Sequence, residues 1–364
     1  MLKPNFSYKF QVESVTFDNL LKLTTVTIYR LFKKFIVLIV LLGGVYFTAQ
    51  LFNYSKAVDP TKEPVSSEYM SRYNVYALKT PVEIQFGGEI IPLDRWDVKE
   101  SLDRELHVNT YWQSQTLLFL KRANRYFPII EPILKEQGVP DDFKYLALIE
   151  SGFVPTIKSP AGAVGIWQFM SGTAKDYGLE VSVEVDERYN IEKSTIAACK
   201  YLKHSYKKYG SWTLVAASYN AGRRFIDKQL KLQDAGNYYD LLLGEETGRY
   251  VYRILAIKMI MEKPADFGFR FRKSDLYPDI PTRKIKIKTH VKDFAAFAKE
   301  NGVNYKILKN FNPWLRKAYL TNKHKKEYEI TLPAEGYINF AFSDYRNPAD
   351  SVSVKNGEKS KGLK

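Results

Sequence analysis

Four short segments carry side chains that could do chemistry together. In Ala147-Leu148-Ile149-Glu150-Ser151-Gly152-Phe153 a carboxylic acid ends an apolar run. A carboxyl enclosed by such residues is desolvated, which disfavours its charged form and raises its pKa. A proton still held near neutral pH is what a general acid for glycosidic cleavage requires. Next comes Ser159 to Met170, reading SPAGAVGIWQFM. Its small residues and glycines admit close backbone approach, Trp167 offers an apolar wall, and Gln168 has both a donor and an acceptor. Ala217-Ser218-Tyr219-Asn220-Ala221-Gly222 adds an aromatic ring and an amide ahead of a glycine turn. Glu245-Glu246-Thr247-Gly248-Arg249-Tyr250-Val251 follows. Singly, each segment has a plainer reading: a solvated helix-terminal Glu, a tight loop whose Trp and Phe fill the core, a helix C-terminus, and an acidic first helical turn.

The elements that must position these groups are helical. From Asp97 an apolar stripe of Leu102, Leu106, Tyr111, Leu117, Leu118 and Leu120 runs through a segment without Gly or Pro. Pro128 and Pro132 punctuate the next helix, which runs to Gly138-Val139-Pro140. Asp141 is the expected N-cap of a helix through Glu150. Further helices are expected over Ser194 to Lys208, ending at Gly210, over Trp212 to Tyr219, and from Thr247. Residues 97–262 therefore read as all-α. Ahead of them Glu83 to Ile91 (EIQFGGEII) reads as two short strands around Gly87-Gly88 or as a docking segment. Beyond them Lys284 to Thr289 and Glu327 to Leu332 alternate with period two around two short helices, a β-α-α-β order that suits a small separate domain.

Composition narrows the function classes. Forty-five per cent hydrophobic and 26% charged residues in a chain of 364 are ordinary for globular domains and exclude a largely disordered protein. One cysteine, Cys199, excludes a disulfide framework and a thiolate-rich zinc site. The four histidines are widely separated, which argues against a His-based metal centre. The net charge is +15. Residues 1–34 hold six basic and two acidic side chains, a net +4, and residues 283–364 hold eighteen and eight, a net +10. The body between them is nearly neutral.

The first basic flank adjoins Phe35 to Phe52 (FIVLIVLLGGVYFTAQLF), which has no formal charge. A bilayer is crossed by roughly 20 apolar residues. Arg30, Lys33 and Lys34 just before the run place the N-terminus in the cytoplasm and everything after about residue 55 outside. Against a cleaved signal peptide stand the thirty-four preceding residues and the lack of a clean A-x-A site. The expected order is a cytoplasmic segment 1–34, a membrane helix 35–52, a linker and docking segment 53–96, a helical lead-in 97–127, a catalytic domain 128–262, a small domain 283–333 and a disordered tail 347–364.

Taken together and in this order, the four segments resemble the lytic transglycosylases with a goose-lysozyme-like catalytic domain, and most of all the membrane-bound lytic murein transglycosylase D type. The resemblance covers roughly Pro128 to Met261 and rests on the ES, G-x-x-Q, YNAG and ET-x-x-YV signatures. Ser218 departs from the usual Ala, and Gly248-Arg249 from the common Arg-Asn. It implies a mainly α, lysozyme-like fold and a peptidoglycan substrate. Glu150 would protonate the oxygen between N-acetylmuramic acid and N-acetylglucosamine, then take a proton from the muramoyl C6 hydroxyl, leaving a 1,6-anhydromuramoyl end. Ser151 would orient substrate, Gln168 and Asn220 would hydrogen-bond sugar or peptide groups, Tyr219 and Tyr250 would flank the reacting ring, and Trp167 and Met170 would line the groove. No cofactor or metal is implied.

A single carboxylate suits that reaction. An ordinary hydrolase needs a second one about 5–5.5 Å away if retaining and about 6.5–9.5 Å if inverting. A tethered C6 hydroxyl needs no carboxylate to position water. Asp176, Asp186, Glu245 and Glu246 are the candidates for a second acid, with Glu246 the one to watch, whereas Asp186, Glu187 and Arg188 read as a surface ion-pair cluster. At the C-terminal end, Phe294 to Lys299 and Leu308 to Leu315 resemble the two helices of LysM modules, which bind N-acetylglucosamine chains, but His290-Val291-Lys292-Asp293 stands where the module has G-D-T-L. The region reads either as a glycan-binding module or as an appendage that stabilises the catalytic domain. Its charge suits an anionic wall or membrane, and a nucleic-acid partner would need it to be cytoplasmic, which the topology denies. The alternatives to the lyase are a muramidase on the same fold that adds water and a wall-binding scaffold without activity.

Overall fold

The computed structural model of the chain describes residues 75–337. The chain divides into Met1–Tyr76 and Ala77–Lys364, and everything below concerns the second unit. The expected membrane helix 35–52 and the tail 347–364 lie outside the described residues. Among the described residues, no helix is long and apolar enough to cross a membrane.

A two-stranded hairpin, β1 (Gln85–Phe86) and β2 (Glu89–Ile90), opens this unit. Gly87 makes its turn at φ +59°, where an added Cβ would meet the Trp212 ring at 2.9 Å. The helices that follow are α1 (Trp96–Tyr111), α2 (Gln113–Glu136), α3 (Phe143–Ser151), α4 (Ser171–Asp176), α5 (Ile191–Tyr209), α6 (Trp212–Ala221), α7 (Arg223–Leu232) and α8 (Glu245–Glu262). They share one core, in which Leu102 and Leu106 of α1, Leu146 and Leu148 of α3 and Ile254 and Leu255 of α8 are fully buried.

Two expectations need correction here. The apolar stripe expected to run unbroken from Asp97 changes helix at Trp112, whose ψ of 57° is not helical. Thr116 donates its hydroxyl to the Asn109 carbonyl there, so a side chain takes an acceptor that an unbroken helix would give to the backbone. Asp141 does not cap α3, which starts at Phe143 with Asp142 ahead of it. Asp141 instead pairs with Lys144, and the Asp142 carboxylate accepts from the Gly87 amide at 2.8 Å and from Lys258 at 2.9 Å. It thereby ties α3 to the hairpin and to α8. Similarly, the Glu89 carboxylate accepts from the amides of Trp212 and Thr213, putting negative charge at the N-terminus of α6.

The C-terminal domain pairs β3 (Thr282–Ile287) antiparallel with β4 (Tyr328–Pro333), in the register Ile285↔Ile330, with α9 (Phe294–Glu300) and α10 (Tyr305–Phe311) between them. Asp293 and Asn304 cap the two helices through backbone amides, and Gly302 turns the chain between them at φ +73°. Buried Asn312 donates to the Thr331 carbonyl at 2.6 Å and accepts from its amide at 2.8 Å, joining the end of α10 to β4.

Candidate active site

Glu150 sits in the last turn of α3, whose C-cap Gly152 adopts the left-handed conformation at φ +56° and donates its amide to the Leu148 carbonyl at 2.7 Å. Its side chain is only partly exposed. Burial pushes the Glu150 carboxyl up to about 7. The Tyr250 hydroxyl opposes that shift by donating to Glu150 Oε1, Glu246 adds to it by like charge, and Arg253 opposes it by opposite charge.

The partners come from three other elements. Tyr250 and Arg253 lie three residues apart on α8, on one helix face. Tyr219, near the end of α6, donates its hydroxyl to the Trp167 carbonyl at 2.6 Å. Burial first, then the Glu150 charge, raise its pKa far above the usual tyrosine value. Asn220 donates to Glu246 at 3.2 Å and accepts from the Thr247 hydroxyl at 2.8 Å, fastening the end of α6 to the first turn of α8. Gln168 has a left-handed backbone, φ +48°, and its side-chain amide donates back to the Gly165 carbonyl at 2.8 Å. The neighbouring Phe169 ring lies edge-on to Tyr219 at 6.2 Å. Met170 is 46% exposed.

Two residues expected at the substrate face inward. Trp167 is fully buried, and its indole donates to Thr195 at 2.9 Å, so its ring supports the loop from beneath instead of walling a groove. Ser151 is buried as well: its hydroxyl donates to the Ala147 carbonyl at 3.0 Å and accepts from the Phe153 amide at 3.1 Å, which shapes the helix end. The expected surface cluster is also overturned. Asp186, Glu187 and Arg188 are 7%, 3% and 8% exposed, and Asp186 pairs with Arg188 at 2.8 Å.

Of the candidates for a second acid, Asp186 is consumed by Arg188, Glu245 pairs with Arg249 at 2.9 Å, and Asp176 is an exposed residue ending α4. Glu246 is the candidate whose charge reaches Glu150. The sequence reading did not single out Arg253, although its spacing from Tyr250 was a usable signal. It also passed over Glu105 of α1, buried against Arg104 at 2.6 Å and against Arg249 at 2.6 Å.

The site thus centres on a half-buried, protonatable glutamate bonded to one tyrosine, Tyr250, with a second, Tyr219, tied to the glycine-rich loop. Residues 127–242 match the transglycosylase SLT domain, and residues 283–336 match the soluble lytic transglycosylase C-terminal LysM-like domain. The chain thus carries an SLT domain followed by a LysM-like domain. It is homologous to membrane-bound lytic murein transglycosylase D of Escherichia coli K12, with 29% identity over 220 residues, covering 59% of this chain and 47% of that protein. Peptidoglycan transglycosylase gp16 of Escherichia phage T7 is 36% identical over 136 residues, 36% of this chain and 10% of that one. The crystal structure of the 70-kDa soluble lytic transglycosylase SLT70 from Escherichia coli aligns with a TM-score of 0.35 at 17% identity, covering 55% of this chain and 40% of that one. The chain spans about half the length of the transglycosylase D relative.

Proposed function

We propose that the protein is a peptidoglycan lytic transglycosylase with Glu150 as its acid and base. The observation that carries this reading is the Glu150 carboxyl, raised to about 7 by burial and bonded to Tyr250. In the protonated form it gives its proton to the glycosidic oxygen as the bond from C1 of N-acetylmuramic acid breaks, and the released N-acetylglucosamine keeps that proton. The resulting carboxylate then takes the proton of the muramoyl C6 hydroxyl while that oxygen bonds to C1. The acid is regenerated, no water is consumed, and the tethered hydroxyl brings its own proximity. Gln168, Asn220 and Met170 face the strand, Tyr250 orders the carboxyl, and Tyr219, Ser151 and Trp167 hold the loop and helix end that present it.

The SLT match and the murein transglycosylase relatives support the substrate class. Placement outside the cytoplasm on an N-terminal anchor rests on the apolar run 35–52 and on the membrane-bound relative. Digestion of purified murein followed by mass spectrometry tests the reaction: the wild type yields products one water lighter than reducing ends, and Glu150→Gln lowers the yield by about 10³-fold or more, at the scale of losing an acid–base group. Reducing ends instead would make the enzyme a muramidase with Glu246 as the candidate for activating water. Undiminished solubilisation by Glu150→Gln would remove Glu150 from the chemistry.

A further inference from the structure

We propose that the C-terminal domain is a fixed brace for the glycine-rich loop 159–170, acting through Asp186 and Arg188. A tethered module would meet the catalytic domain through an exposed linker and few contacts. Here the two join backbone to backbone. Val185 and Leu315 form an antiparallel bridge, the Asp186 amide donates to the Trp314 carbonyl at 2.9 Å, and the Arg316 amide donates to the Glu184 carbonyl at 2.7 Å. Side chains reinforce the joint. The Glu184 carboxylate accepts from the Thr321 amide at 2.7 Å, Lys326 donates to Glu180 at 2.6 Å, and the Arg316 guanidinium lies 4.2 Å from the centre of the Tyr189 ring.

From that joint a continuous relay reaches the loop. Asp186, its amide held by Trp314, accepts from Arg188 Nε at 2.9 Å and Nη2 at 2.8 Å. Arg188 Nη1 in turn donates to the carbonyls of Gly162 at 3.1 Å and Phe169 at 3.0 Å, which bracket Val164 to Gln168. The loop also rests on the Arg188 backbone: a Cβ on Gly165 would stand 2.1 Å from the Arg188 carbonyl oxygen. Val164 is buried in the same cluster as Trp314, Leu315 and Ile330 of the C-terminal domain. Breaking the joint therefore releases the strained backbone that presents Gln168. This brace serves substrate binding if, as proposed above, Gln168 contacts the glycan.

The test uses the full chain carrying Leu315→Ala with Arg316→Ala, which removes the buried side chain packed with Val164 and Val185 and the guanidinium on Tyr189, both on the joint and outside the site. Amide hydrogen exchange at Val164, Gly165 and Gln168 rises about tenfold while that of the α8 amides is unchanged, as expected of a local opening. On glycan strands KM rises about tenfold with kcat within about twofold, the mark of lost binding and not of lost chemistry. Leu315→Met with Arg316→Lys, which keeps the apolar volume and a cation, restores both readouts. Unchanged loop exchange and KM, or α8 exchange rising in step with the loop, would overturn the brace. The exchange measurement needs no turnover, so it decides the matter even for a chain that proves not to cleave murein.

Discussion

Four influences set the protonation of Glu150, and they pull in opposite directions. Burial and the Glu246 charge favour the neutral acid, while the Tyr250 hydroxyl and Arg253 favour the carboxylate. The acid step needs the neutral form, so cleavage should fall as pH rises through about 7. Tyr250→Phe removes a bond to the charged form and moves this limb to higher pH. Glu246→Gln removes a repulsion and moves it lower, each by about one pH unit or less, read from pH–rate profiles on a soluble glycan. Stability follows the same linkage. The folded pKa of about 7 exceeds the ordinary 4.5, so the folded state binds the extra proton in that window and stability falls as pH rises across it. Glu150→Gln escapes this loss, and its gain in Tm over the wild type should be small below pH 4.5 and largest above pH 7.

At the scale of elements, the site depends on how α8 is seated against α1. Glu105 is the seat. It is buried, bonded to Arg104 and Arg249, and 3.8 Å from Arg253 Nε. Arg249 stands where the sequence departs from the common pattern, and here it spends its charge on α1 instead of on the site. Glu105→Ala removes the buried acceptor of Arg104 and Arg249, which are exposed enough to rehydrate, and should lower stability by about 1–2 kcal/mol, measured by urea unfolding. Because Tyr250 and Arg253 ride on the same helix, a shift of α8 would disturb the Glu150 carboxyl as well.

Across the whole molecule, the two domains are not energetically separate. Val164, Val185 and Tyr189 of the SLT domain complete the hydrophobic cluster of the C-terminal one. Unfolding either domain exposes that cluster, so calorimetry of the full chain should show one cooperative transition for both instead of two. The β-α-α-β order was legible in the sequence, because strand alternation and short capped helices are local patterns. The joint was not, because residues 180–189 and 314–328 meet only through long-range packing.

The sequence by itself determined that Glu150 ends an apolar helix, that a glycine-rich loop, a Tyr-Asn pair and a second tyrosine follow at set spacings, and that the body is helical. Those are properties of neighbouring residues, and neighbouring residues encode them. Only the tertiary structure decided which side chains gather around Glu150. It brought Tyr250 to Glu150 across 100 residues, turned Ser151 and Trp167 inward, and buried Asp186 and Arg188 where a charged triplet read as surface. The reason is physical: desolvation and hydrogen bonding sum over everything that surrounds a group, and that surrounding is assembled from distant segments.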